Sequence, residues 1–278
     1  MHMRTTLGIL LSLCIFFVLP AAAQSGPPPV STNPMPIEDV EGVQLRSGYA
    51  VITPDASNPL PLASLTYGMV QGGEVEAQAA ILPDAPVTQA TLPLDVVPGI
   101  GRNVGVAVAN SSGVPASIVM ALRDDDGTPV GTPVSLTIQN AHQFAKFVTE
   151  LFPASAFGAA LRGTLAIQST TPVSIVGLRF SGIEFSTIPV SPAGSTASPA
   201  TIVFPQFAMG GTWATTIVVM NPTDSTISGQ INIFDPDGNP FSVRLNGVSS
   251  STSSFMYSIA PHGSFTLAPR DSNGQSPF

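Results

Sequence analysis

The fold is decided by a stretch that occurs twice, GVAVANSSGVPASIVMALRDDDGTP at residues 105–129 and TIVVMNPTDSTISGQINIFDPDGNP at residues 216–240. The two segments align without a gap at an offset of 111 residues. Apolar side chains in both alternate with polar or small ones, which is the period of a strand with one buried face. The stretch therefore predicts a pair of β-strands, present in two copies.

The turns of the two copies also correspond. Asp126-Gly127 and Asp237-Gly238 fall at the same offset between predicted strands. Asp and Gly supply the side-chain acceptor and the positive φ that a tight hairpin needs. Asn110 and Asn221 are predicted to cap the preceding strands in the same manner.

The repeat continues outside this stretch. LRSGYAVI at residues 45–52 matches LRGTLAI at 161–167, PLPLASLTYG at 59–68 matches PVSIVGLRFSG at 172–182, and His142 roughly matches His262. Because the order of blocks is the same, we expect two tandem β-sandwich repeats of about 115 residues each, at 37–153 and 154–270. A repeat does not fix where a structural domain begins, so a central sandwich at about 93–192 between two half-units is the alternative.

The composition favours an all-β fold. Hydrophobic residues make up 44% of the chain and charged residues only 9%, and there are 28 prolines and 25 glycines. Disordered chains need low hydrophobicity, and helical proteins avoid so many prolines.

One segment, residues 140–153, carries a helix-like pattern. We expect a strand there to about Phe147, followed by one helical turn ending at Pro153.

The N-terminal residues predict export. Residues 1–23 combine a basic start, an apolar run and three alanines, the pattern of a cleaved signal peptide. Residues 24–36 are a Pro-rich spacer, residues 271–278 a flexible tail, and no other segment approaches membrane-spanning length. Cys14, the only cysteine, would leave with the signal peptide, so we expect a secreted protein without disulfides or an integral membrane segment.

Charge excludes some partners. Without Arg4 the chain keeps eight basic residues against 17 acidic ones, and its only lysine is Lys146. Such a chain has no basic surface for phosphates, so we expect no nucleic-acid partner. A protein or a polysaccharide is the expected partner.

Catalytic groups are scarce. His142 and His262 are the only histidines after export and have no metal-ligand or triad neighbours in sequence, so both are predicted to be surface residues of a non-enzyme. The acidic runs at 124–126 and 235–239 resemble calcium ligands, but a calcium loop continues with further ligands. We favour hairpin turns there, and we expect no catalytic residue, metal or cofactor.

Aromatic residues give the one candidate binding site. Phe204, Phe207 and Trp213 precede a predicted strand of the second copy, and a Trp on a β-module can stack on a sugar ring. The competing interpretation, which we favour, is that these side chains close the end of a sandwich.

The motifs together suggest a family. The stretches quoted above, with FVTELFP at 147–153, STIPV at 186–190 and FPQFAMGGTWATT at 204–216, resemble modules repeated in secreted bacterial proteins of unassigned function. The resemblance implies exported, all-β, immunoglobulin-like modules and brings no catalytic residues. GGTW at 210–213 has one glycine fewer than the GGGW or GGGY of that motif. The expected function is a structural, adhesive or surface-interaction role, and the alternative is a carbohydrate-binding module that uses the aromatics near Trp213.

Overall fold

A computed structural model describes residues 47–55, 58–59, 61–71, 74–192 and 201–270. The expected signal peptide (1–23), spacer (24–36) and tail (271–278) lie outside these residues. The elements of the described part, in chain order, are β1 (Leu65–Gln71), β2 (Glu74–Ile81), β3 (Val87–Val96), β4 (Arg102–Asn110), β5 (Ala116–Asp124), β6 (Pro129–Ile138), β7 (His142–Phe147), α1 (Val148–Leu151), β8 (Leu161–Ser181), β9 (Glu184–Ile188), β10 (Ser191–Pro192), β11 (Ile217–Met220), β12 (Ile227–Asn232), β13 (Ser254–Ile259) and β14 (Ser264–Leu267).

The protein is all-β, as predicted, and one long strand organises it. The first part of β8 pairs with β3 and β5, and its second part pairs with β4 and β9. The pairings give two antiparallel layers, β10-β3-β8-β5-β6 and β7-β4-β8-β9, that share β8. This arrangement is consistent with a β-sandwich.

One apolar core lies between the two layers. Val104, Val106 and Val108 point inward at alternate positions of β4, and Ile118 and Met120 do the same from β5. All five are buried, because a strand sends every second side chain to the same face. The alternation read from the sequence therefore places the core.

A glycine in the second part of β8 leaves room for side chains of β3 and β9. A Cβ at Gly177 would approach Cδ2 of Leu92 to 2.4 Å and Cγ1 of Ile188 to 2.7 Å. Real Cβ atoms do not come that close, so a larger residue at this position would force the Leu92 and Ile188 side chains to shift.

The outer face of the β4-β8-β9 layer is covered by the hairpin of β1 and β2. Tyr67 stacks on Phe185 with ring centroids 5.4 Å apart, and Phe180 meets Phe147 edge-on at 4.9 Å. The Thr187 hydroxyl donates a hydrogen bond to the carbonyl of Ala80 at 2.6 Å. The second half of β8 is therefore buried on both faces.

The C-terminal part consists of two small sheets. Strand β11 pairs with β14, and β12 pairs with β13, both antiparallel. Their apolar side chains form a separate core around Leu245, Phe255 and Leu267.

Several local predictions are confirmed. The strand β7 ends at Phe147 and α1 provides the single helical turn that follows. Gly127 and Gly238 have φ values of 78° and 84°, as the two Asp-Gly turns require. Among the described residues, no helix is long and apolar enough to cross a membrane.

The sheet pairing does not follow the division of the sequence at residue 153. Strand β8 lies after that point, in the second sequence repeat, yet it is the central strand for β3, β4 and β5 of the first. The strands from β3 to β10 span residues 87–192, close to the 93–192 of the alternative, because β8 completes the hydrogen bonds and the core of the first repeat. The domain boundaries themselves stay predictions.

Candidate functional site

Trp213 lies on a tight hairpin that precedes β11. Gly210 and Trp213 exchange two backbone hydrogen bonds of 2.9 and 3.0 Å across a two-residue turn. The turn residues Gly211 and Thr212 have φ values of 56° and 73°, the left-handed pair typical of a type I′ turn. A β-branched residue such as Thr212 is strained at such a φ.

A side chain ties the base of this hairpin. The Thr215 hydroxyl donates to the carbonyl of Ala208 at 2.8 Å and accepts from the backbone N–H of Ala208 at 3.1 Å. The backbone that carries Trp213 is therefore held by hydrogen bonds on both sides of the turn.

The three candidate aromatics have different environments. Trp213 is 72% exposed and Phe204 is 64% exposed. Phe207 is half-buried against the C-terminal core and meets Phe241 edge-on, with ring centroids 6.1 Å apart. Only Phe207 of the three packs against a core, whereas Trp213 and Phe204 are exposed, and a ligand-binding role for them stays a prediction.

Phe204 continues an exposed apolar segment. Ile202 and Val203, next to Phe204, are 81% and 76% exposed. Leu92, which is the counterpart of Val203 at the offset of 111, is completely buried in β3. The same type of residue at the same place in the repeat is thus buried in one copy and exposed in the other.

The histidines lie at the surface and near turns. His142 is exposed at the start of β7, as expected. His262 Nε2 lies 2.8 Å from Oδ1 of Asp224, an exposed carboxylate. The match of His142 with His262 is off by one residue, because Ala141 and His262 both have a φ of 59°.

The acidic runs form hairpin turns. Oδ1 of Asp124 accepts from the backbone N–H groups of Asp126 and Thr128 at 3.1 and 2.8 Å. Oδ1 of Asp235 accepts in the same way from the backbone N–H groups of Asp237 and Asn239. The bond from the Asn239 backbone is the largest cause of the lowered pKa of the Asp235 carboxyl. Within the part of the chain that the structure describes, no group of three or more His, Cys, Asp or Glu side chains is placed to hold a metal ion.

One of these turns contacts the C-terminal part, which the sequence did not indicate. The backbone N–H of Ser264 donates to the carbonyl of Asp125 at 2.9 Å, and its hydroxyl donates to the Asp125 carboxylate. A Cβ at Gly127 would meet the carbonyl oxygen of Pro261 at 2.0 Å, whereas a Cβ at Gly238 would meet nothing within 4 Å. Burial raises the pKa of the Asp125 carboxyl, although the Ser264 hydrogen bond and Arg162 oppose the shift.

A buried ion pair lies near this contact. Nη1 of Arg102, a buried residue, is 3.0 Å from Oδ2 of Asp95, and Nε of Arg162 is 3.5 Å from the other carboxylate oxygen. Burial also lowers the pKa of the Arg179 guanidinium, and the negative charge of Asp95 partly offsets this shift. Asp95 thus neutralises charge that the sandwich would otherwise bury unpaired.

The comparisons with known proteins add no relative. No protein-family model, no curated protein and no solved structure matches the chain.

Proposed function

We propose that this protein is an exported, non-enzymatic interaction protein with a structural or adhesive role, built from immunoglobulin-like β-sandwich modules. The observation that carries the proposal is the exposure of three consecutive apolar side chains, Ile202, Val203 and Phe204, and of Trp213. Soluble proteins seldom leave large apolar side chains exposed next to one another unless they contact a partner there.

Two further observations support the modular part of the proposal. The hydrogen bonds of the Asp124 and Asp235 turns are the same in both repeats. The N-terminal residues 1–23 have the pattern of a signal peptide, which supports the export part of the proposal.

The test measures adhesion. Beads that carry the chain are placed on surfaces coated with gelatin, as a protein, or with a polysaccharide, and the force that removes them is recorded. We expect adhesion to fall when Phe204→Ala and Trp213→Ala are combined, because their rings supply the exposed contact area. Leu62→Ala with Leu82→Ala removes two exposed apolar side chains elsewhere and is the matched control. Equal adhesion of the two double variants would count against the proposal.

A carbohydrate-binding role is the second candidate, and the exposure of Trp213 favours it. An indole held on a tight hairpin presents a flat apolar face of the kind that stacks on sugar rings. Affinity electrophoresis in gels that contain soluble polysaccharides measures this directly. Retardation that is lost in Trp213→Ala and kept in Met256→Ala, with the fold intact in both, would establish this role in place of protein adhesion.

A further inference from the structure

The C-terminal part lacks the strand that joins the layers in the first repeat. At the offset of 111 residues, β11 corresponds to β4 and β12 to β5. Strands β4 and β5 each pair with a neighbour and with β8. Among the described residues, β11 pairs only with β14 and β12 only with β13, so the edge that β8 would occupy is open on both.

The counterpart of β3 is also unpaired. Residues 201–207 align with the second part of β3, and they form no strand. In the first repeat β3 pairs with β8 along most of its length. The exposure of Ile202 and Val203 follows from the absence of that neighbour in the described part.

The open edges leave the C-terminal core incomplete. Val106 and Val108 of β4 are fully buried, whereas their counterparts Ile217 and Val219 are only half-buried. A strand placed as β8 is placed would cover these side chains and pair with the open backbone groups.

The sequence contains a segment that matches the missing strand. Residues 45–52, LRSGYAVI, align with the first part of β8, so that Tyr49 takes the position of Leu165 and Val51 that of Ile167. Leu165 and Ile167 are two of the buried residues of β8 that face the core. Val51 and Ile52 are 64% and 57% exposed, and residues 47–52 form no strand.

We propose that residues 47–52 of one copy of this chain add as a strand to the C-terminal part of a second copy, between residues 201–207 and β12. Strand addition of this kind satisfies open backbone groups, and apolar side chains at alternate positions give it specificity. Within a single chain this segment does not lie in that place, because it contacts β7: the Nε2 of Gln143 donates to the Ser47 hydroxyl at 3.2 Å. Because the donor and the acceptor are different surfaces, the copies join head to tail. This assembly does not depend on the adhesive role proposed above, although its acceptor includes the exposed Ile202, Val203 and Phe204.

Cysteine cross-linking tests the register. In the first repeat Val119 of β5 lies opposite Gln168 of β8. Their counterparts are Gln230 in the acceptor and Ile52 in the donor. Directly opposed residues of antiparallel strands have Cα atoms about 4.5–5.5 Å apart, within the span of a disulfide.

The full chain is expressed so that export and processing proceed, and Cys14→Ser in every sample removes the natural cysteine. We expect a mixture of Ile52→Cys and Gln230→Cys chains to shift to the mass of a dimer under mild oxidation. A mixture of Leu62→Cys and Gln230→Cys, whose donor residue is more exposed than Ile52, is expected to stay largely monomeric. Equal cross-linking of the two mixtures would overturn the proposal. The proposal would also be overturned if a chain that carries both Ile52→Cys and Gln230→Cys formed only an intramolecular disulfide.

The mass in solution gives a second test that needs no cysteine. We expect light scattering to show an average mass that rises with concentration for the natural chain. Tyr49→Asp with Val51→Asp is expected to abolish the rise without unfolding the chain, since residues 47–52 belong to no strand. The control variant Leu62→Asp should keep the rise of mass with concentration. A monomer at every concentration would refute the assembly, and the adhesion assay with Phe204 and Trp213 variants would still decide the proposed function separately.

Discussion

Asn110 and Asn221 lie 111 residues apart and make the same hydrogen bonds. The Nδ2 of each donates to the carbonyl four residues ahead and to the carbonyl of the last residue of a neighbouring strand, at 2.8 and 2.9 Å for Asn110 and 2.8 and 3.1 Å for Asn221. The Oδ1 of each accepts from the backbone N–H two residues ahead. Both side chains are buried, so each joins two turns of its repeat from the inside.

Replacing either asparagine should destabilise the protein strongly. Asn110→Ala or Asn221→Ala leaves buried backbone groups without partners, which costs about 1–3 kcal/mol for each such group. Urea unfolding monitored by fluorescence measures the loss. Asn58→Ala, at an exposed position, is the control and should leave the midpoint unchanged. A small effect at Asn110 would mean that water replaces the side chain.

The contact between the two parts can be tested with a pair of glycines. Gly127→Ala and Gly238→Ala both place an alanine at positive φ, which costs about 1–2 kcal/mol. Only Gly127 also faces the Pro261 carbonyl oxygen, so its variant should lose about a further 1–3 kcal/mol from overpacking. Thermal unfolding of both variants gives the difference. Equal losses would show that the contact does not contribute to stability.

The Trp213 hairpin should gain stability from a glycine. Thr212→Gly relieves the strain of a β-branched residue at a φ of 73°, with an expected gain of up to about 1 kcal/mol after the entropy cost of glycine. The midpoint of urea unfolding reports it. Thr137→Gly, in the exposed face of β6, should instead lower stability, because glycine weakens a strand interior. A loss at Thr212 would indicate that another backbone conformation is used there.

The Asp125 contact should depend on pH. Since burial raises the pKa of Asp125 above its unfolded value, its contribution to stability is complete below the unfolded pKa and is lost as pH rises through the folded pKa. Asp125→Asn keeps an acceptor for Ser264 and is expected to raise stability at pH 7 and to flatten the decline from about pH 4 upward. Melting temperatures measured across this range test it. Asp126→Asn, at the exposed neighbouring position, should keep the natural slope.

Local structure was predictable because it depends on neighbouring residues. The Asp-Gly turns, the alternation in β4 and β5 and the single helical turn after Phe147 all follow from the chemistry of short segments. The offset of 111 residues also predicted that the turns of the two copies would correspond, and the hydrogen bonds of Asp124 and Asp235 do.

The environment of the candidate site was not predictable in the same way. Phe204 and Phe207 are three residues apart in one short segment, but one is exposed and the other packs on Phe241. Whether an apolar side chain is buried depends on which strand lies beside it. The sequence of the segment alone does not contain that information.

The sequence by itself determined an all-β protein, the positions of its turns and the repetition of its strands. Only the tertiary structure decided that β8 completes the first repeat, that Trp213 is exposed and that Asp125 contacts Ser264. The physical reason is that turns form from hydrogen bonds within a few residues, whereas several strands of similar alternation compete for each place in a sheet. That competition is settled by the core that they form together, and in the C-terminal part of the described chain one such place is still open.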